Sequence, residues 1–201
     1  MQNQQSNVNQ QDLSVIHHLI LLDRSASMRD IRYGVIAIFN QYLQRLKEDS
    51  SDVKKHVITF YSFAKPRLGV VLQEHYRQVD ACNVNELDLE SYQPKGDTPL
   101  NDAIVRASRL LYTQLELSGV VSKVNFTIIT DGKENASGVE TDDTVKTWIL
   151  MLQNKGWEIE YLGLGINPER DSINKGIRHH KSFDKNPDGM MAFLTHMHNK
   201  I

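Results

Sequence analysis

Val15-Ile16-His17-His18-Leu19-Ile20-Leu21-Leu22-Asp23-Arg24-Ser25-Ala26-Ser27 is an apolar run that breaks abruptly into polar turn residues. The apolar part is far too short to cross a bilayer. Its near-continuous hydrophobicity fits a strand covered on both faces rather than one with a wet side. Directly after it, Ile31, Val35, Ile38, Tyr42 and Leu46 recur every three or four residues. That spacing predicts a helix over Arg29 to Glu48.

The same alternation continues outward. Lys55 to Phe63 is rich in β-branched and aromatic residues and reads as a second strand. Pro66 to His75 reads as a third. The short connection Ala64-Lys65-Pro66 permits an antiparallel hairpin and not a parallel crossover. Tyr76 to Lys95 carries little pattern and is expected to be a long loop with one helical turn. Helices are expected over Pro99 to Leu117, Asp142 to Asn154, Glu169 to Gly176 and Pro187 to Lys200. Strands are expected over Ser122 to Thr130, Trp157 to Leu164 and Lys181 to Phe183. The order β-α-β-β-α-β-α-β-α-β-α predicts an α/β fold. It is a doubly wound, mostly parallel six-stranded sheet with one antiparallel edge strand and helices on both faces. Residues 13–201 are expected to form a single domain, and Met1 to Asp12 a frayed polar tail.

Composition narrows the function classes. Of 201 residues, 23 are Lys or Arg and 25 are Asp or Glu, giving a formal charge of −2. This near balance supplies no field for wrapping nucleic acid or adhering to an anionic membrane. The single cysteine, Cys82, excludes an internal disulfide framework and a Cys-rich zinc module. Met1 to Asp12 has no basic and apolar halves of a secretory signal, so a cytoplasmic location is expected. On that reading the sequons Asn125-Phe126-Thr127 and Asn135-Ala136-Ser137 are coincidental.

In open α/β sheets, ligands sit beyond the carboxyl ends of the strands. Three segments fall there: Asp23-Arg24-Ser25-Ala26-Ser27, Gly96-Asp97-Thr98-Pro99-Leu100 and Thr130-Asp131-Gly132. Asp23, Ser25, Ser27, Thr98 and Asp131 together offer carboxylate and hydroxyl oxygens, with no imidazole or thiolate. That donor set suits a hard divalent cation such as Mg²⁺ rather than zinc or copper. Each segment alone has an ordinary alternative. Ser25, Ser27 or Thr98 would serve as a helix N-cap, and Asp-Gly as a simple turn. Their conjunction at one end of the sheet favours a site.

The three segments resemble the metal-ion-dependent adhesion site of von Willebrand factor A domains, which pairs Asp-x-Ser-x-Ser with a later Thr and a later Asp-Gly. The resemblance extends from about Val15 to the C-terminus and is to stand-alone intracellular bacterial members. It implies Mg²⁺, with Mn²⁺ or Ca²⁺ as substitutes. It further implies direct contacts from Ser25, Ser27 and Thr98, with Asp23 and Asp131 acting mainly through water. A protein partner would complete the coordination with an Asp or Glu.

The expected function is therefore a non-catalytic protein-protein interaction module, with no nucleic-acid or membrane partner. Two alternatives stay open. One is a Mg²⁺-dependent phosphohydrolase using Asp23 as nucleophile, as in haloacid-dehalogenase-like phosphatases. Those need a carboxylate two residues on as general acid, where this chain has Ser25. The other is an assembly subunit with a purely structural metal. Lys133-Glu134-Asn135, Arg24, Met28 and Tyr92 are candidate partner contacts. The pairs His17-His18, His179-His180 and His196-x-His198 cannot chelate locally, because neighbouring strand residues point apart and i, i+2 helix residues do not face each other.

Overall fold

The computed structural model describes residues 13–65, 67, 71–119 and 122–201. Six strands, β1 (Ser14–Asp23), β2 (Lys54–Phe63), β3 (Leu72–Asp80), β4 (Lys123–Thr130), β5 (Glu158–Leu164) and β6 (His179–Phe183), form one sheet in the order β3-β2-β1-β4-β5-β6. All pairings are parallel except β2 with β3. The helices are α1 (Arg32–Asp49), α2 (Leu100–Ser118), α3 (Asp142–Asn154), α4 (Glu169–Asn174) and α5 (Pro187–His198). This is the expected doubly wound architecture, and it explains the hydrophobicity of β1. Leu19 and Leu21 join the core beneath α2 and α3, whereas Ile20 and Leu22 join the core beneath α1 and α5. All four are at most 1% exposed. Burying each such side chain stabilises the fold by roughly 1.5–3 kcal/mol.

The largest departures from the expected boundaries lie at the start of α1 and along β3. A 3₁₀ turn, Ala26–Ile31, precedes α1 and takes up the first residues of the expected helix. β3 begins later and runs further than predicted, so Tyr76 to Asp80 belong to a strand rather than to a loop. As an edge strand it carries exposed Arg77 and half-buried polar residues, which blur the apolar alternation. It is also bulged against β2, where Gln78 adopts a left-handed φ of 50°. Pro66, part of the expected third strand, and the expected tail Met1 to Asp12 lie outside the described residues.

The chain passes from β1 outward to β2 and β3, then returns across the sheet to β4 on the other side of β1. The switch in direction thus lies between β1 and β4, and it opens a crevice at their carboxyl ends. Asp23 ends β1 and Asp131 follows β4.

Candidate functional site

Asp23 is fully buried. Its Oδ1 accepts the Ser25 backbone N–H at 2.7 Å, and its Oδ2 accepts the Thr130 hydroxyl at 2.6 Å. Thr130 Oγ1 also lies 3.1 Å from the Gly132 N–H, which donates to it. With its single proton committed to Asp23, Thr130 locks the β4 exit to the β1 exit. Burial pushes the Asp23 carboxyl up to about 6, against the lowering pull of the Thr130 hydroxyl and the Ser25 N–H; the nearby Asp131 charge adds to the rise.

The Ser25 and Ser27 hydroxyls lie 3.1 Å apart, and Ser27 donates to Asp131 Oδ1 at 2.6 Å. Neither serine caps a helix: Ser25 precedes the 3₁₀ turn without any side-chain capping bond. Thr98 does not cap α2 either, because Pro99 occupies the N-cap position and the end has no capping side chain there. Gly132 has no left-handed φ, so it is not required by turn conformation. What it provides is clearance. A Cβ at Gly132 would sit 3.3 Å from Thr98 Oγ1 and 4.0 Å from Asp23 Oδ2. The structure therefore brings all five sequence-predicted residues to one place, with Thr98 and Asp23 facing the bare edge of Gly132.

The surrounding loops are laced by backbone bonds. Arg24 N–H donates to Phe63 O, Lys95 N–H to Arg24 O, and Ala26 N–H to Gly96 O. Lys65 and Asp97 exchange a pair of backbone bonds. The loop after β4 is fixed to α2 by side chains whose role the sequence did not reveal. Glu134 accepts Asn101 N–H at 2.8 Å, along with the backbone N–H groups of Ala136 and Ser137. Asn135 Oδ1 accepts Thr98 N–H at 2.9 Å, while Asn135 N–H donates to Thr98 O. Asp102 accepts the N–H groups of Gly138, Val139 and Glu140.

The expected partner contacts need correcting. Arg24, Met28 and Tyr92 are all buried, at 4%, 0% and 0% exposure. Tyr92 instead donates its hydroxyl to Asp23 O at 2.6 Å and braces the β1 exit from below. Glu134 and Asn135 are spent on internal bonds, and Lys133 alone of that triplet is exposed without such a role. Sequence reasoning also missed Lys185. From the turn before α5, its Nζ donates to Asp131 Oδ2 at 2.5 Å.

Among the described residues no group of three or more His, Cys, Asp and Glu side chains is placed to hold a metal, which leaves a zinc-type centre without a candidate. The donors at the β1–β4 crevice are instead two carboxylates and three hydroxyls, and that set fits Mg²⁺ chemistry. His179 and His180 are exposed on β6, and His196 is paired with Glu160 at 2.9 Å.

The chain matches no protein-family model and no curated protein in sequence. Solved structures do match it. The pilus adhesin SpaC from Lactobacillus rhamnosus GG, in its open conformation, aligns with a TM-score of 0.69 at 13% identity, over 95% of this chain and 30% of that one. Proximal thread matrix protein 1 from the mussel byssus aligns with a TM-score of 0.66 at 14% identity, over 94% of this chain and 46% of that one. The vWF domain of the type V pili tip protein Mfa5 from Porphyromonas gingivalis aligns with a TM-score of 0.55 at 8% identity, over 94% of this chain and 97% of that domain. The fold is vWA-like. The chain spans less than half the length of the first two of these proteins. The expected cytoplasmic location, and with it the intracellular type, is overturned by these matches, which include a pilus adhesin and a pili tip protein, components of surface appendages. Among the described residues no helix is long and apolar enough to cross a membrane.

Proposed function

We propose that this chain is a vWA-type interaction module that captures a protein partner through a divalent cation and catalyses no reaction. The observation that carries this reading is the meeting of Asp23, Ser25, Ser27, Thr98 and Asp131 from three separate strand-end loops, with the hydroxyls spared from capping. Ser25, Ser27 and Thr98 would hold Mg²⁺ directly, with Mn²⁺ or Ca²⁺ as substitutes. Asp23 and Asp131 would act mainly through water, as the family resemblance implies. A cation held mostly by neutral hydroxyls keeps much of its charge and so attracts an Asp or Glu from a partner. The protein's own part is orientation. Tyr92, Thr130 and Asn135 fix the loop ends, so little ordering entropy remains to be lost on binding. A pilus adhesin and a pili tip protein that share this fold agree with a binding role. Against a phosphohydrolase stands Ser25, which occupies the place where a general acid would be needed.

Calorimetric titration of Mg²⁺ into wild type, Asp23→Asn and Ser25→Ala tests the site. Both variants are expected to fold and to lose at least tenfold in affinity. Unchanged affinity in both would defeat the assignment. Capture of a partner that EDTA abolishes supports the interaction role. Capture indifferent to EDTA would make the metal structural only.

A further inference from the structure

Asp131 is shared between two internal donors. Ser27 takes Oδ1 at 2.6 Å, and the Lys185 ammonium takes Oδ2 at 2.5 Å. The Asp131 side chain has no solvent exposure, whereas that of Lys185 is 35% exposed. The lysine is guided rather than loosely placed. Gly165, just past β5, has a left-handed φ of 70°, and a Cβ there would meet Cγ, Cδ and Cε of Lys185 at 3.0, 3.1 and 3.1 Å. The aliphatic stem therefore lies flat across a glycine whose missing side chain makes the path. The turn is also pinned at both ends. Gly165 N–H donates to Phe183 O at 2.7 Å, and Asn186 caps α5 through Gly189 N–H at 2.8 Å.

We propose that Lys185 is a tethered cation which competes with the divalent ion for Asp131 and so holds the site's metal affinity down. This rests on the metal-site reading of the preceding subsection. An ammonium held directly on an enclosed carboxylate repels a divalent ion bound to that same carboxylate through water, and it neutralises the charge that would draw the ion in. Metal entry must therefore draw Lys185 away from Asp131 along the Gly165 path, towards solvent. The affinity of the empty site is reduced accordingly, and an acidic group brought by a partner gains a nearby ammonium with which to pair.

The test uses the full chain with Lys185→Met, which keeps the stem on Gly165 and removes the charge, and Lys185→Arg, which keeps the charge. Calorimetric titration of MgCl₂ is expected to show at least tenfold tighter binding in Lys185→Met and near wild-type affinity in Lys185→Arg. Saturating Mg²⁺ should also raise the melting temperature of Lys185→Met by more than it raises that of wild type. Equal or weaker Mg²⁺ binding by a folded Lys185→Met, with wild type still binding, overturns the competition and leaves the metal site standing. Absence of Mg²⁺ binding in both wild type and Lys185→Met overturns the metal site and the proposal together. Circular dichroism of each variant shows whether it is folded.

Discussion

Two sets of buried polar side chains sit on the same central strand and are built on opposite plans. At the carboxyl end of β1, Asp23 and its neighbours gather around the Gly132 edge, with oxygens from three loops facing one another. Further back along β1, His18 belongs to a chain closed upon itself. Tyr42 OH lies 2.8 Å from His18 Nδ1, His18 Nε2 lies 2.8 Å from His56 Nδ1, and His56 Nε2 lies 2.7 Å from Asp49 Oδ2. One assignment of protons satisfies every link. Asp49 accepts from His56, His56 accepts from His18, and His18 accepts from Tyr42, both rings being neutral. Asp49 also pairs with Lys54 at the surface. The first arrangement brings oxygens from three loops together, as the proposed cation would require. The second spends the imidazole lone pairs of His18 and His56 on protein protons, link by link. Richness in polar groups thus does not mark a site; convergence of acceptors does.

The largest effect expected from probing this contrast is on acid stability. Burial lowers the His18 imidazole to about 3 from its ordinary 6.5. The folded state thus holds fewer protons than the unfolded chain between these values, and the contribution is fully present above pH 6.5 and lost as pH falls towards 3. A shift of this size corresponds to about 5 kcal/mol across the whole window. Desolvation also lowers His17 and His75, the latter to about 4, so both steepen the same slope. Urea unfolding at pH 7, 5.5 and 4.5 should show wild type losing more stability than His18→Leu over that span. His18→Leu should start lower at pH 7, because Tyr42 and His56 each lose a partner. Parallel loss in the two proteins would show that His18 takes up its proton as readily in the folded chain as in the unfolded one.

The next effect is smaller and concerns how the site is held. Glu134→Ala removes the acceptor for Asn101, Ala136 and Ser137 and frees the loop after β4 from the start of α2. The expected loss is about 2 kcal/mol. Hydrogen exchange should rise at Ala136 and Ser137 with no change around His18. Exchange that stays slow in that loop would show that Asn135 and Asp102 suffice to fix it.

These two regions also differ in how far they were legible in the sequence. Asp-x-Ser-x-Ser packs three donors into a short stretch, and its place after an unmistakable buried strand fixed its position on the sheet. The later Thr98 and Asp131 were readable because each also follows from the strand-helix alternation. Glu134, Asn135 and Tyr92 were not, since their bonds join positions 33, 37 and 69 residues apart with no local signature. Lys185 lies 54 residues from Asp131 in an ordinary-looking turn, and only the folded chain shows what its stem crosses. That His17 and His18 point to opposite faces was legible from their adjacency on a strand, but that His18 joins a buried chain through Tyr42 and His56 was not, because those partners lie 24 and 38 residues away. The polar edge of β3 hid how far that strand runs, for the reason that an outer strand need bury only one face.

The smallest change in stability is expected from Gly132→Ala, which puts the contrast between the two regions most sharply. Gly132 does not occupy the left-handed region, so alanine imposes no conformational strain and stability should move by less than about 1 kcal/mol. The added methyl would nonetheless stand 3.3 Å from Thr98 Oγ1 and 4.0 Å from Asp23 Oδ2. On the metal reading, Mg²⁺ affinity measured by calorimetry should fall severalfold while the urea midpoint barely moves. A methyl of the same size beside the closed His18 chain would disturb packing and stability with no ligand to lose. If Gly132→Ala instead binds Mg²⁺ as wild type does, the space beside Thr98 and Asp23 is a gap in packing, and the convergence of the five side chains serves only to tie three loops together.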